Sequence, residues 1–337
     1  MAIFSMRFDF RNPPLAQTSM SERYGAALDM AEWADRLGFY AFGLSEHHGS
    51  DDGYLPSPLT MAAAVAARTK TVRITIAALI TPFHDPLRLA EDTAVIDHIS
   101  AGRLDLVLAA GYVPAEFEMF GVPVKERARR VTEAVHTLRA AWTGEPFEYR
   151  GRTVRVTPAA YSPKGPGITL GGSSEAAGRR AARLDIGFTP TDGATWEFYR
   201  DETIKLGRPD PGPRFGRTAT FIHVAHDVDA GWEKIAPYAL HESNAYGAWL
   251  TAGGSGTASV FQAAESTEAL RETGQYRVLT PAELVNELRE QGPFALCNLT
   301  PMMGGIPPEI AWESLRLVES EVIPALAAEQ TAQPAGR

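Results

Sequence analysis

Two adjacent histidines and a glutamate stand directly after a short apolar segment of this chain. The run from Phe39 to Ser45 is apolar and rich in aromatic residues, and Glu46, His47 and His48 follow it at once. An imidazole exchanges a proton near neutral pH, and a neighbouring carboxylate can fix its tautomer and raise its basicity. If the apolar run is a buried strand, its carboxyl end brings titratable side chains to one place, and acid–base chemistry is expected there.

A second candidate is the sequence Gly171-Gly172-Ser173-Ser174, which lies between an expected strand and an expected helix. Free backbone N–H groups at a helix amino terminus can hold a phosphate or a carboxylate, and glycine lets the anion approach. The same residues also serve simply to turn the chain and cap the helix, so both interpretations stay open. The spacing is neither that of a Rossmann loop nor that of a Walker loop, so neither NAD nor ATP is indicated.

Other kinds of site are not indicated. His47 and His48 are adjacent, so at a strand end their side chains point apart and cannot comfortably share one metal ion. The sequence contains no G-x-S-x-G elbow for a serine hydrolase. The single cysteine, Cys297, can form neither an internal disulfide nor a structural zinc site, and it is expected to be buried in a strand. Four further histidines are expected to be ordinary core or surface residues: His84, His98, His136 and His241.

Composition and charge narrow the class of partner. The chain has 337 residues, 45% of them hydrophobic, and a formal net charge of -9 without a Lys/Arg run. Nucleic acids and anionic membranes need clustered positive charge, so we expect neither and favour small-molecule ligands. The amino terminus resembles a strand rather than a signal peptide, and no apolar run reaches the length of a membrane span. We therefore predict a cytoplasmic protein.

Strand-like and helix-like segments alternate along the chain, as they do in βαβ units with a parallel sheet. The pattern predicts one α/β domain over residues 1–327, a (β/α)8 TIM barrel with insertions. Residues 147–156 have the two-residue period of a hairpin around Arg150 and Gly151. The expected barrel strands are Met6–Phe10, Phe39–Leu44, Val72–Ile80, Leu104–Ala110, Ile168–Leu170, Ile186–Thr189, Thr218–Ala225 and Phe294–Leu299.

Two segments stand apart from this alternation. Residues 241–279 have little regular apolar pattern and contain Gly253-Gly-Ser-Gly256. They are expected to form a long excursion, either a mobile lid or a packed insertion with a flexible tip. The composition of residues 328–337 is that of a disordered tail.

Barrels of this kind carry their active sites at the carboxyl ends of the strands. The predicted fold brings a set of polar, small and aromatic residues to that face. They are Phe10, Glu46, His47, His48, Ala77, Ala78, Gly111, Tyr112, Gly171, Gly172, Ser173, Ser174, His223, His226 and Asn298.

The order and spacing of several motifs resemble the bacterial luciferase-like family of flavin-dependent oxidoreductases. The resemblance is densest over residues 39–121, weaker over 171–188, and returns near 314–324. Its motifs are Glu46-His47-His48, Pro58 to Thr69, Val72-Arg73-Ile74, Ala77-Ala78, Pro82, Asp85 to Asp92, Ile96-Asp97, Ser100 to Arg103, Glu116-Phe117 and Phe120-Gly121.

The resemblance implies a TIM-type barrel that binds FMN, or in one branch F420, at the strand ends, as a homodimer. Ala77-Ala78 matches the family site of a non-prolyl cis peptide under the flavin ring. His47 matches an acid/base residue, with Glu46 as an acidic group beside it, and His223 resembles a histidine of some alkanesulfonate monooxygenases. The residues expected at the flavin are Phe10, Ala77, Ala78, Gly111, Gly172, Ser173 and Ser174, and those expected at the substrate are Tyr112 and His48.

Three functions are compatible with this resemblance. The first is a two-component monooxygenase, in which reduced FMN from a separate flavin reductase and O2 oxidise a small organic substrate through a flavin C4a-peroxide. The second is an F420-dependent oxidoreductase that transfers hydride without O2, with Arg179, Arg180 and Arg183 as the candidates for binding its acidic tail. The third is a non-catalytic flavin-binding partner subunit. Ala109 and Ala110 stand where luciferase has a cysteine and an arginine, so luciferase activity itself is not expected.

Overall fold

The computed structural model describes residues 2–214, 221–254, 263–292 and 294–332. Its strands, in chain order, are β1 (Ile3–Phe8), β2 (Ala41–Leu44), β3 (Arg73–Ile80), β4 (Leu104–Ala109), β5 (Phe147–Tyr149), β6 (Arg152–Val154), β7 (Gly167–Gly172), β8 (Gly187–Pro190), β9 (Phe221–Val224), β10 (Tyr276–Leu279) and β11 (Leu296–Leu299).

Helices follow nearly all of the parallel strands. They are α1 (Met20–Arg36), α2 (Pro58–Arg68), α3 (Pro86–Ser100), α4 (Pro114–Met119), α5 (Arg127–Ala141), α6 (Glu175–Leu184), α7 (Gly193–Lys205), α8 (Val228–Ala252), α9 (Thr267–Glu272), α10 (Pro281–Glu290), α11 (Pro308–Leu317) and α12 (Ile323–Ala332). None of the helices in the described ranges is both long enough and apolar enough to cross a membrane.

The sheet has the strand order of a curled parallel barrel. Seven parallel strands lie in the order β11-β1-β2-β3-β4-β7-β8, so the last strand of the chain lies beside the first. Strand β9 pairs in parallel with β10 as a separate two-stranded sheet. This arrangement, with helices between the strands, confirms the predicted α/β TIM-barrel class. The β5–β6 hairpin turns at Arg150 and Gly151, with φ angles of 49° and 73°, and confirms the hairpin predicted around these two residues.

Alternation of side chains along the strands builds the core. Buried aliphatic and aromatic side chains from the first strands pack against the surrounding helices, and each contributes about 1.5–3 kcal/mol when fully buried. They include Phe42, Leu44, Ile74, Ile76, Leu106 and Leu108. Several helices begin at side-chain caps such as Asp85, which accepts hydrogen bonds from the backbone N–H groups of Leu87 and Arg88.

The expectation for residues 241–279 was wrong in part. Helix α8 extends into this segment and ends at Ala252, and α9 and β10 follow within it. Residues 255–262, which include Ser255 and Gly256 of the Gly/Ser tip, lie outside the described residues. Beyond His241 the buried face of α8 consists of Glu242, Ser243, Tyr246 and Gly247, which are polar, aromatic or small, so the apolar period that marks a helix in the sequence is lost there.

The carboxyl-terminal prediction also needs correction. Helix α12 continues to Ala332, so residues 328–332 are helical rather than a disordered tail. Residues 333–337 of the expected tail lie outside the described residues, as do residues 218–220 of the expected seventh strand.

Candidate active site

His47 lies at the carboxyl end of β2 and forms a buried pair with Glu116 of α4. Its Nδ1 is 2.8 Å from Oε1 of Glu116, and the same oxygen accepts a hydrogen bond from the backbone N–H of His48. Burial lowers the pKa of His47, although contact with Glu116 acts in the opposite direction. The imidazole is therefore neutral at neutral pH.

The partner of Nδ1 decides which nitrogen of His47 can act as a base. A carboxylate accepts a hydrogen bond, so Nδ1 carries the proton and Nε2 presents a lone pair. The hydroxyl of Tyr112 lies 3.5 Å from this Nε2. Burial raises the pKa of Tyr112, so the phenol stays protonated and remains a donor. The arrangement supplies one oriented proton acceptor beside one phenol.

Glu46 does not belong to this pair, although it is the neighbour of His47 in the chain. Its Oε1 is 3.0 Å from Nε2 of His48 and 2.9 Å from Nε2 of His84, and its Oε2 accepts from the backbone N–H of Ile80. Burial would raise its pKa, but the hydrogen bonds from His48 and His84 lower the pKa of Glu46 to about 2. Glu46 is a buried anion that ties the ends of β2 and β3 together.

His48 shares this structural role. Its ring packs against Phe83 and Phe120, with ring centroids 5.5 Å and 4.6 Å away, and its Nε2 is engaged by Glu46. The expectations that Glu46 acts beside His47 and that His48 binds substrate are thus not matched by the geometry. Successive residues at a strand end point to opposite sides, and the sequence alone did not show which side faces the site.

Small residues line the rim next to His47. The peptide bond between Ala77 and Ala78 is cis, as the resemblance predicted. The Ser45 hydroxyl donates to the carbonyl of Ala77, which joins the end of β2 to this peptide. A Cβ added to Gly171 would lie 3.1 Å from the Val107 side chain and 4.0 Å from Ala78.

Gly111 completes the row at the end of β4. It has a φ of 75°, and a Cβ there would meet Ile80 at 2.9 Å. The rim from β2 to β7 therefore offers a surface of backbone and methyl groups, which a flat ring can approach closely.

The loop after β7 lies at the same rim and has the features of an anion site. Gly172 is half-buried, Ser173 and Ser174 are exposed, and Ser174 caps α6 by accepting from the N–H of Ala177. The backbone N–H groups of the first turn of α6 are thereby presented near Ser173.

Two arginines lie close to this rim without a carboxylate partner in the described part of the chain. Arg127 donates a hydrogen bond to the backbone carbonyl of Gly111, just beyond the carboxyl end of β4. Burial lowers the pKa of Arg180, and so does the positive charge of Arg127 and Arg183. A cavity of about 560 Å³ lies beside α6; its lining includes Thr132, Glu175, Arg179, Arg180 and Arg183.

The carboxyl half of α8 covers the mouth of the barrel. Trp249 lies against His47, with ring centroids 4.3 Å apart, and the Tyr246 hydroxyl is 2.8 Å from the hydroxyl of Tyr54. Farther along, Gly253 is so close to the Tyr112 carbonyl that an added Cβ would lie 2.5 Å from it. The carboxyl half of α8 therefore covers His47 and Tyr112.

A family model described as luciferase-like monooxygenase matches residues 4–288 of this chain. The chain belongs to the luciferase-like monooxygenase family. The 4-hydroxyprotoasukamycin monooxygenase of Streptomyces nodosus subsp. asukaensis is 28% identical over 268 residues, which cover 73% of this chain and 70% of that protein. The oxygenase component of the flavin-dependent trigonelline monooxygenase of Acinetobacter baylyi is 31% identical over 150 residues, 44% of this chain and 41% of that one. This chain thus aligns with only about two fifths of the length of several curated relatives.

Several solved structures have a similar fold over nearly their whole length. The monooxygenase RslO1 from Streptomyces bottropensis is 26% identical, with a TM-score of 0.73 over 96% of this chain and 99% of that one. The oxygenating constituent of 3,6-diketocamphane monooxygenase from Pseudomonas putida, in complex with FMN, has a TM-score of 0.71 at 18% identity, over 96% of this chain and 98% of that one. An F420-dependent secondary alcohol dehydrogenase has a TM-score of 0.61 at 18% identity, over 97% and 99%. The last two similarities show the fold alone.

Two residues that the family resemblance suggested lie away from the His47 pocket. Phe10 has no exposed surface and packs between Phe8 and Tyr24, which gives it a place in the core. His223 of β9 faces α8, where a Cβ on Gly231 would lie 3.9 Å from its ring. Burial lowers the pKa of His223 to about 4, so it is neutral at neutral pH, and its packing against α8 does not bring it together with His47 as the sequence predicts.

Sequence reasoning also missed residues that the fold brings to the mouth. Glu116 was noticed as part of a family motif but not as the partner of His47. Arg11 follows β1, is fully buried, and forms an ion pair of 2.5 Å with Asp52. Asp52 in turn is 2.7 Å from Nε2 of His241, which had been assigned to ordinary surface or core. A buried arginine requires charged or aromatic neighbours, but the sequence does not show that Arg11 is buried, so it carries no signal for this cluster.

Within the described residues, no group of three or more His, Cys, Asp or Glu side chains could hold a metal ion. The histidine and carboxylate side chains of this site are instead paired with each other.

Proposed function

We propose that this chain is the oxygenase component of a two-component, FMN-dependent monooxygenase, which uses reduced FMN and O2 to oxidise a small organic substrate. The observation that carries the proposal is the buried His47–Glu116 pair, with its free Nε2 beside Tyr112, next to a rim of small residues around the cis peptide at Ala77–Ala78.

The residues at this rim fit a flavin. A planar ring needs close approach to backbone, and the methyl groups of Ala77 and Ala78 with the bare backbone of Gly111 and Gly171 provide it. The FMN phosphate needs backbone donors and positive charge, which the Gly172–Ser174 loop and the pair Arg127 and Arg180 supply. When bound in its reduced form, FMN supplies the activation of O2.

Protein residues then have distinct tasks. Nε2 of His47 accepts or returns a proton during oxidation of the substrate, because its lone pair faces the pocket and its pKa is held low by burial. Tyr112 donates a hydrogen bond that orients the substrate near this nitrogen. Tyr246 and Trp249 exclude water from the mouth, which protects a reactive oxygen species from wasteful breakdown.

Reduced flavin would come from a separate reductase. A relative named as an oxygenase component supports a division of labour of this kind. A cytoplasmic location and a homodimeric state stay predictions of the sequence, and neither is needed for the chemistry proposed here.

FMN is favoured over F420 by the state of three arginines on α6. Binding the acidic tail of F420 would require free positive charge, but Arg179 and Arg183 already form ion pairs of 3.0 and 2.7 Å with Glu202. Arg180 is left for a phosphate group. Arg180 and the backbone N–H groups near Ser173 therefore suit a single phosphate better than the several carboxylates of an F420 tail.

The test is to titrate the purified chain with FMN and with F420, and then to follow O2 consumption when photoreduced FMN is supplied. Micromolar affinity for FMN and O2 uptake above that of free reduced FMN are the expected results. Tighter binding of F420, with hydride transfer and no O2 uptake, would replace the proposal by the F420-dependent alternative. Binding of FMN with no reaction under any reductant would indicate the non-catalytic subunit.

A further inference from the structure

Arg11 is the least expected charged group in the barrel mouth. Its side chain has no exposed surface, and its guanidinium carbon lies 4.8 Å from the ring centre of Tyr54, 4.8 Å from Tyr246 and 4.5 Å from Trp249. A guanidinium loses much hydration free energy when it is buried, so its donors normally find acceptors.

The donors of Arg11 are satisfied on one side only. Nη1 donates to Asp52, whereas Nε and Nη2 have no hydrogen-bond partner among the residues that the structure describes. Two buried N–H-bearing nitrogens on one edge of a planar group form a fork that matches the two oxygens of a carboxylate.

Other arginines of the same chain show what this edge binds. Arg73 uses Nε and Nη2 to contact the two oxygens of Asp105, at 2.5 and 2.7 Å. Arg200 uses the same two nitrogens for Asp210, both at 2.7 Å. The free edge of Arg11 is thus the edge with which this protein twice holds a carboxylate.

The surroundings of this edge belong to the candidate active site. Trp249 and Tyr54 contact both the guanidinium of Arg11 and the ring of His47. The rings of Tyr54, Tyr246 and Trp249 surround the guanidinium. An aromatic ring attached to the bound carboxylate can stack on rings of this kind, so a flat aromatic ligand suits this place.

We propose that the Nε–Nη2 edge of Arg11 binds the carboxylate of the substrate, and that the substrate class is therefore the aromatic carboxylic acids. This inference rests on the proposed monooxygenase function and specifies its substrate. Because Tyr246 and Trp249 cover the guanidinium, the acid reaches it when the carboxyl half of α8 moves off the mouth.

The experiment compares benzoate with benzamide, which has the same ring but no charge, by calorimetric titration of the full-length chain. We expect benzoate to bind at least about tenfold more tightly than benzamide, since the amide has no negative charge and only one oxygen to accept from the guanidinium fork. Arg11→Gln should remove this preference, and Arg11→Lys should keep part of it because the charge stays while the fork is lost. Arg200→Gln, which removes a similar fork at the surface, should leave the preference unchanged.

Equal affinity for the two probes, no binding of benzoate, or an undiminished preference in Arg11→Gln would each overturn the assignment. Thermal unfolding of Arg11→Lys and Arg11→Gln checks that both variants fold. FMN titration and O2 uptake are measured on the same samples. If these stay normal while benzoate shows no preference, the substrate class is wrong and the monooxygenase proposal stands. If FMN does not bind, the proposed function fails whatever the probes do.

Discussion

Two neighbouring carboxylate–histidine clusters at the barrel rim have opposite characters. Glu116 holds one imidazole, His47, and leaves its second nitrogen 3.5 Å from the hydroxyl of Tyr112. Glu46 is engaged by two imidazoles and a backbone N–H, so its hydrogen-bonding capacity is used inside the protein. The same residue types therefore form a pair with an available proton acceptor in one cluster and a structural link between the ends of β2 and β3 in the other.

The difference shows that residue type does not decide between chemistry and structure at such a rim. What decides is whether an atom of the group is left for a ligand after the internal hydrogen bonds are made. In the first cluster Nε2 of His47 lies 3.5 Å from the hydroxyl of Tyr112 at the candidate site, whereas in the second cluster Glu46 makes its hydrogen bonds to His48, His84 and the backbone of Ile80.

The largest expected effect is that of His47→Gln. Loss of the base should lower turnover by ~10²–10⁴-fold with little change in the free energy of unfolding, because removing a positioned acid/base group has an effect of that size. Steady-state rates with reduced FMN measure it. His136→Gln changes an exposed histidine of α5 and should leave the rate unchanged. A rate for His47→Gln within twofold of the unmodified protein would remove the chemical role from the first cluster.

His223 extends the comparison to a histidine that faces the helices. Its pKa is about 4 in the folded chain against 6.5 as an ordinary value, so the folded state holds the neutral form. Above about pH 6.5 the full stability is present, and as the pH falls towards 4 the unfolded chain takes up a proton that the folded chain does not. The free energy of unfolding should therefore fall by up to about 3 kcal/mol across this range.

Replacement of His223 by leucine should remove this part of the pH dependence. Urea unfolding at several values between pH 4 and pH 7 measures it, with His136→Leu as a control that retains the slope. The same slope in His223→Leu and in the unmodified chain would contradict the assignment of His223 as a buried neutral group.

Glu46→Gln tests the second cluster. The amide keeps one acceptor but loses the charge that His48 and His84 bind, so we expect a loss of about 2 kcal/mol in the free energy of unfolding and little change in turnover of the folded enzyme. Urea denaturation and activity assays at 25 °C separate the two effects. Glu118→Gln, on the exposed side of α4, is the control. A large loss of turnover in a variant that remains folded would give Glu46 a direct role.

The smallest effect is expected for Tyr112→Phe. The hydroxyl lies 3.5 Å from Nε2 of His47, a long contact, so its loss should raise the KM or lower the rate by less than about tenfold. A loss as large as that of His47→Gln would mean that the phenol itself transfers a proton.

The sequence alone determined the framework of this protein. Alternation of apolar runs with amphipathic segments predicted the barrel, because buried parallel strands and their covering helices have distinct apolar periods. Of the observed parallel strands, only β10 was missed, since its four residues lie in a segment without a clear pattern. Family motifs predicted the cis peptide at Ala77–Ala78 and brought His47 to the rim.

Only the tertiary structure decided how these side chains are paired. His47 meets Glu116 across 69 residues of sequence, and Arg11 near the amino terminus meets Trp249 of α8. Local sequence patterns indicate which residues are buried and whether a segment is a helix or a strand. The direction of a side chain beyond a strand end depends instead on the backbone angles of the loop and on elements that come later in the sequence and pack against it. For that reason the residues at the rim could be predicted, while the division between a proton acceptor, a structural anion and an unsatisfied guanidinium required the folded chain.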